Sequence, residues 1–232
     1  MKQSRMYPKP ALRIDVVSDL VSPWCYLAVR RLQQALTRID GASKPALRWR
    51  PYEINPALPA EGVEVDAYLE TIFGSREAGR AVLTELENTG QEEGIRFDFD
   101  RVPSVPNTMD AHRLILLAEE DGHGQDMAGR LFRGFFEEGR DIGQSEELAQ
   151  LADEAGIDRD RARTLLAGDR YRDSVRLIEA RIREAGFTGV PTFVVNERVA
   201  FGGVQEPDTI LAAIDKALFH GLPEDEEPPR LH

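Results

Sequence analysis

The chain has 232 residues, of which 41% are apolar and 30% charged, with a formal net charge of −12 and a single cysteine. That length suits one large domain, or a small domain carrying an inserted one, and the apolar fraction lies well clear of disorder. The negative balance argues against nucleic acid or an anionic membrane as partner, since both need basic surface. One cysteine excludes any disulfide, structural or catalytic, within the molecule.

Taken in order, residues 1–10 contain no apolar core of a secretion signal, and no run of the chain is long enough to span a bilayer. The expected location is therefore cytoplasmic. Leu12, Ile14, Val16 and Val17 predict a buried strand. The pattern then changes across Asp19-Leu20-Val21-Ser22-Pro23-Trp24-Cys25-Tyr26. Beyond it Trp24, Leu27, Ala28, Leu32, Ala35 and Leu36 share one face of a helix. Ser22 falls at the N-cap and Pro23 at the first helical position, where a missing N–H is harmless. Cys25 follows in the first turn. Residues 40–45 have turn chemistry, 46–52 alternate as a strand, and 53–59 form a proline-rich exit. A right-handed βαβ unit results.

From 65 to 186 the expectation is almost wholly helical, with helices over 66–73, 77–94, 108–120, 126–138, 145–155, 158–166 and 171–185, and a short extended piece at 95–99. Strand pattern resumes at 192–195, turns at Asn196-Glu197 and returns through 199–201. Asn-Glu is a weaker hairpin signal than Asn-Gly, because Glu tolerates positive φ poorly. A last helix opens at Pro207 with Ile210, Leu211, Ile214, Ala217 and Leu218 inward. The fold class is α/β, and the order is βαβ, a helical block, then ββα. Residues 11–60 with 187–220 are expected to make one discontinuous domain and 61–186 an inserted helical one, with flexible ends at 1–10 and 221–232.

Ser22-Pro23-Trp24-Cys25, set between a strand and a helix, resembles the active-site segment of the DsbA-like oxidoreductases, in particular their FrnE-like branch, whose members commonly carry Cys-Pro-Trp-Cys there. Two further segments fit the resemblance: Pro106-Asn107-Thr108-Met109-Asp110-Ala111-His112-Arg113-Leu114 and Gly189-Val190-Pro191-Thr192-Phe193-Val194-Val195-Asn196. With the turn Gly202-Gly203-Val204-Gln205 the likeness spans residues 11–219. It implies a thioredoxin fold with an inserted all-helical domain, and thiol–disulfide oxidoreductase chemistry by descent. Ser22 then occupies the nucleophile position and Cys25 the resolving one. The resemblance also implies a cis bond before Pro191, opposite the helix start, with the Val190 backbone available to pair with a peptide or glutathione. Pro23, Trp24, Asn107 and His112 complete the candidate substrate-binding set. Asn107 reads equally as a helix cap and His112 as a packing residue.

A helix N-terminus favours negative charge, so a thiolate there is stabilised. Serine cannot use this itself: its hydroxyl stays protonated near neutral pH and forms no disulfide. It can hydrogen-bond a thiolate belonging to another molecule. Kappa-class glutathione transferases and 2-hydroxychromene-2-carboxylate isomerases resemble this chain in carrying serine followed by proline at this place. The kappa enzymes usually have Ser-Pro-Tyr-Ser and a Ser-Asp pair after the last strand, where this chain has Trp24, Cys25 and the 202–205 turn.

Three readings thus stay open: a redox family member impaired in dithiol exchange, a glutathione-dependent isomerase or transferase, and a non-catalytic peptide- or thiol-binding protein. A cysteine exchanged for serine at position 22 would leave the same motif. The partners implied are a peptide or a small-molecule thiol or disulfide, with a homodimer left open. No cofactor is implied beyond glutathione as co-substrate. No histidine or carboxylate cluster has ligand spacing, so no metal is expected.

Overall fold

The computed structural model describes residues 12–39, 45–197 and 199–219. The turn expected at 40–45, apart from Pro45, and the two chain ends lie outside these residues. Strand β1 (Arg13–Ser18) runs through Leu20 into helix α1 (Pro23–Thr37), and β2 (Ala46–Pro51) returns parallel to β1. Seven helices follow: α2 (Val65–Phe73), α3 (Arg76–Glu92), α4 (Met109–Glu120), α5 (Gly124–Phe136), α6 (Ser145–Glu154), α7 (Arg159–Ala167) and α8 (Arg172–Glu184). The hairpin β3 (Thr192–Val195) and β4 (Val199–Gly202) then leads to α9 (Pro207–Phe219). The sheet order is β2-β1-β3-β4, with β3 antiparallel to both β1 and β4.

Because β1 is central, both of its faces are covered, and its residues read as an apolar run rather than an alternation. Ile14 and Val16 join Trp49, Phe193, Val195 and the inner face of α1 in one large core, while Val17 and Val194 face the other way, onto Tyr52 and Ile182 of α8. Asp15, the polar member of the run, is fully buried and is held by Arg50 at 2.8 Å and Arg48 at 3.1 Å from the neighbouring strand. Its pKa is nonetheless raised, because burial outweighs the cations.

The helical block shares the sheet's core. Leu114, Phe132, Phe135 and Leu148 belong to the same contiguous buried cluster as Ile14, Cys25 and Leu32. Tyr26 of α1 is one link between them. Its ring stacks on Phe132 at 5.1 Å and meets Phe97 edge-on at 5.8 Å, and its hydroxyl donates to Glu137. That seam sets the position of the α1 start against α5.

Element boundaries shift by a residue or two from the sequence expectation, and at two of them the cause is visible. Residues 95–98 pair with no strand and lead into a single 3-10 turn at Phe99–Arg101, Asp98 N donating to Phe136 O instead. Tyr171 takes a left-handed conformation (φ 68) and so stays outside α8. At the β3–β4 turn both Asn196 (φ 48) and Glu197 (φ 59) are left-handed, despite the strain this puts on Glu. Arg13 offsets it: its N–H donates to Asn196 Oδ1 at 2.8 Å, its carbonyl accepts from Asn196 N, and its guanidinium pairs with Glu197.

Candidate thiol site at the start of the first helix

Ser22 takes an extended conformation (φ −96, ψ 110) and its Oγ accepts from Cys25 N at 3.3 Å, so it caps α1 as its sequence position implies. Pro23 is buried at the first helical position. Trp24 points outward, 39% exposed, with its ring 6.5 Å from that of Phe73 on α2. Cys25 points inward and is fully buried. Burial pushes its thiol up to about 11, against the downward pull of the Ser22 and Ser18 hydroxyls, and the charge of Asp19 adds to the rise. At neutral pH this sulfur is a thiol and not a thiolate, so it is neither nucleophile nor exposed leaving group.

The Val190–Pro191 bond is cis. Pro191 is buried, and its carbonyl accepts from Gly203 N at 2.9 Å. Val190 and Ser22 line the same cavity, of about 210 Å³, together with Pro23 and Trp24. Its remaining walls come from α2, α3, α5 and the stretch around the 3-10 turn, and they are almost entirely apolar. The structure therefore brings Ser22, Pro23, Trp24 and Val190 to one place.

Asn107 and His112 sit apart from that cavity. Asn107 precedes the α4 cap rather than being it: Thr108 is the cap residue, while Asn107 Oδ1 accepts from Met109 N at 3.0 Å. Asn107 Nδ2 reaches the carbonyls of Pro56 and Leu58 at 3.4 Å each, which clips the proline-rich exit of β2 onto α4. His112 is 3% exposed and lies behind the helix start, with Nε2 3.5 Å from Asp19 Oδ1.

Around His112 is a buried acidic cluster that the sequence did not disclose. Asp19, 1% exposed, accepts from Leu20 N through Oδ1 and from Ile54 N through Oδ2, each at 2.7 Å. Glu179 of α8 accepts from Glu53 N and lies 3.8 Å from Arg183 Nη1. Glu53 itself is raised to about 7, first by burial and then by Glu179, with His112 and Asn107 pulling it down. Glu179 is also raised by burial. One signal for it existed: Glu179 falls between Val175 and Ile182 on the inward stripe of α8, where an acid is out of place.

Comparison with known proteins accords with this architecture. A family model described as DSBA-like thioredoxin domain matches residues 13–215. The uncharacterized protein YwbO of Bacillus subtilis (strain 168) is 26% identical over 192 residues, covering 82% of this chain and 90% of that protein. Among solved structures, the probable DsbA oxidoreductase SCO1869 from Streptomyces coelicolor is similar with a TM-score of 0.84 at 29% identity, covering 93% of this chain and 94% of that one. The cytosolic disulfide reductase DsbM from Pseudomonas aeruginosa, in a structure with GSH, gives 0.59 at 21% identity, covering 88% and 95%, a likeness of fold. A match over nearly the whole described chain, on a sheet with strand order β2-β1-β3-β4 and a helical block between its halves, leaves one conclusion: this chain belongs to the DSBA-like thioredoxin domain family.

Proposed function

We propose that this member of the thiol oxidoreductase family does not carry out dithiol exchange, and that Ser22 instead hydrogen-bonds the sulfur of a thiol or disulfide brought by another molecule. The observation that supports the reading is the state of Cys25: fully buried, its thiol pushed up to about 11, beneath a residue that cannot form a disulfide. An incoming thiolate at Ser22 would meet the hydroxyl and the N-terminal dipole of α1, both of which favour negative charge. The backbone of Val190, before the cis bond and on the same cavity wall, is the group that this reading pairs with a peptide or with glutathione. Glutathione comes first among small thiols on the family likeness, as co-substrate rather than resident cofactor, and a cytoplasmic setting would supply it. The substrate-binding set in this reading is Ser22, Pro23, Trp24, Val190 and Pro191, with Asn107 and His112 supporting it from behind.

Two measurements test this. Thiolate absorbance of glutathione titrated with the protein should appear at lower pH than for free glutathione, and Ser22→Ala should shift it back by roughly one unit, the scale of a single charge-assisted hydrogen bond. In an insulin-reduction assay the wild type should be inactive and Ser22→Cys active, its new thiol falling below the free value of about 8.5. Disulfide reduction by the unaltered monomer, or glutathione that titrates as it does in buffer, would overturn the reading.

A further inference from the structure

Between β2 and α2 the chain crosses beside the Ser22 cavity as turns and coil, with Ile54 exposed at the cavity mouth. Its two ends are fixed. At one, Arg183 lies over the Tyr52 ring at 4.3 Å, and at the other Val63 N donates to Val105 O at 3.0 Å. Between them, among the described residues, no backbone group of 53–58 bonds to the backbone of another segment. Side chains hold it instead. Glu179 accepts from Glu53 N, Arg183 donates to Glu53 O at 3.0 Å, and Asp19 accepts from Ile54 N at 2.7 Å. Asn55 donates to Tyr68 Oη of α2 at 2.8 Å, and Asn107 reaches the carbonyls of Pro56 and Leu58. A segment fastened in this way answers to the charge of its clamps.

Two of those clamps, Asp19 and Glu179, are buried carboxylates, and Glu53 of the segment itself is a third buried acid beside them. The groups facing Glu53 are Glu179 and Arg183 from α8, His112 from α4, Asn107 before α4, and Asp19 before α1. Arg183 is already engaged, by the Glu53 carbonyl and by Glu179 at 3.8 Å, and His112 Nε2 lies 3.5 Å from Asp19 Oδ1. Glu53 Oε1 has no hydrogen-bond partner. A neutral Glu53 fits this place. An ionised one is a third anion in one buried space, and swinging the segment outward returns it to water.

We infer that residues 53–58 form a pH-sensitive strap beside the Ser22 cavity, shut while Glu53 is neutral and released when Glu53 ionises. Release withdraws Ile54 from the cavity and unties α2 from Asn55, whatever the cavity holds, so the device stands apart from the thiol reading. Burial first, and then the charge of Glu179, raise Glu53 from 4.5 to about 7. Closure is therefore fullest below the ordinary value and weakens as pH rises through about 7. Between pH 6 and 8.5 the opening equilibrium should move toward release about tenfold.

The test is amide hydrogen exchange of the full chain, read by mass spectrometry at pH 6 and pH 8.5 and normalised to the intrinsic rate at each pH. The stretch 53–63 should lose about tenfold in protection at the higher pH, while β1 and β3 are still unexchanged. Glu53→Gln, of the same size and without a charge, should hold the strap at its pH 6 protection throughout. Glu179→Gln keeps an acceptor for Glu53 N and removes one neighbouring anion, so the change should shrink to about threefold. That second variant carries the test if Glu53→Gln fails to fold. Equal protection of the wild-type strap at both pH values would overturn the inference. So would a pH response that persists in Glu53→Gln, which would assign it to another group such as His112, or a strap that exchanges only in step with β1 and β3.

Discussion

Glu53 sits where an ionised carboxylate is disfavoured: 2% exposed, beside Glu179 and near Asp19, with its Oε1 lacking a hydrogen-bond partner. Its pKa of about 7 exceeds the ordinary 4.5, so the folded protein holds a proton there that the unfolded chain releases. That contribution to stability is fully present below the ordinary value and is lost as pH rises through about 7. Denaturant midpoints should therefore fall between pH 5 and pH 8, and Glu53→Gln should flatten the decline, adding roughly 1–3 kcal/mol at pH 8. Equal slopes in wild type and variant would show that Glu53 carries no extra proton. At this scale the sequence was legible where local grammar rules. The serine-proline pair announces the helix start, but the apolar spacing put Trp24 on the inner stripe with Leu27 and Leu32, whereas the structure turns Trp24 outward and Cys25 inward. The acidic cluster was hidden because Asp19, Glu53, His112 and Glu179 come from four separate segments, and only the tertiary fold unites them.

Helix positions were legible from apolar spacing, and their ends less so, because several ends are set by distant side chains. The C-terminus of α7 shows this. Arg113, fully buried on α4, donates to the carbonyls of Leu165 at 2.6 Å, Gly168 at 2.5 Å and Arg170 at 2.8 Å, and pairs with Asp110 at 2.8 Å. One guanidinium from another helix thus satisfies the carbonyls that a helix end leaves free. Arg113→Met would keep much of the packing but strand these acceptors, and should destabilise the protein by roughly 3 kcal/mol. Arg113→Lys should recover little, since a point charge cannot reach all three carbonyls. A drop below about 0.5 kcal/mol for the methionine variant would mean that water takes over those bonds.

For the molecule as a whole, the succession of strands and helices along the chain, with the helical block in its middle, was readable from the alternation of periods, while the order of strands in the sheet and the way the parts share one interior were not. The apolar cluster runs without a break from Ile14 and Leu32 through Phe132 to Leu148 and Leu165, and Tyr26 ties the two parts by ring stacking and a hydrogen bond to Glu137. Neither part can then be removed without exposing the other. Urea unfolding followed by far-ultraviolet and near-ultraviolet circular dichroism should give coincident midpoints, and a chain with residues 65–186 replaced by a short linker should lack fixed tertiary signal. Two separated transitions would show that the halves fold independently.

The placing of the aromatic residues has a practical consequence. The chain has two tryptophans, Trp49 and Trp24. Trp49 is 3% exposed in the shared interior, 6.1 Å from Phe132, whereas Trp24 stands 39% exposed at the cavity mouth. Their indoles should emit at different wavelengths and differ in access to iodide, the interior one shielded and blue-shifted, the outer one quenched and red-shifted. The protein thus carries its own pair of optical labels, one that follows global folding and one that follows occupancy of the mouth, and Trp24→Phe would separate the two signals.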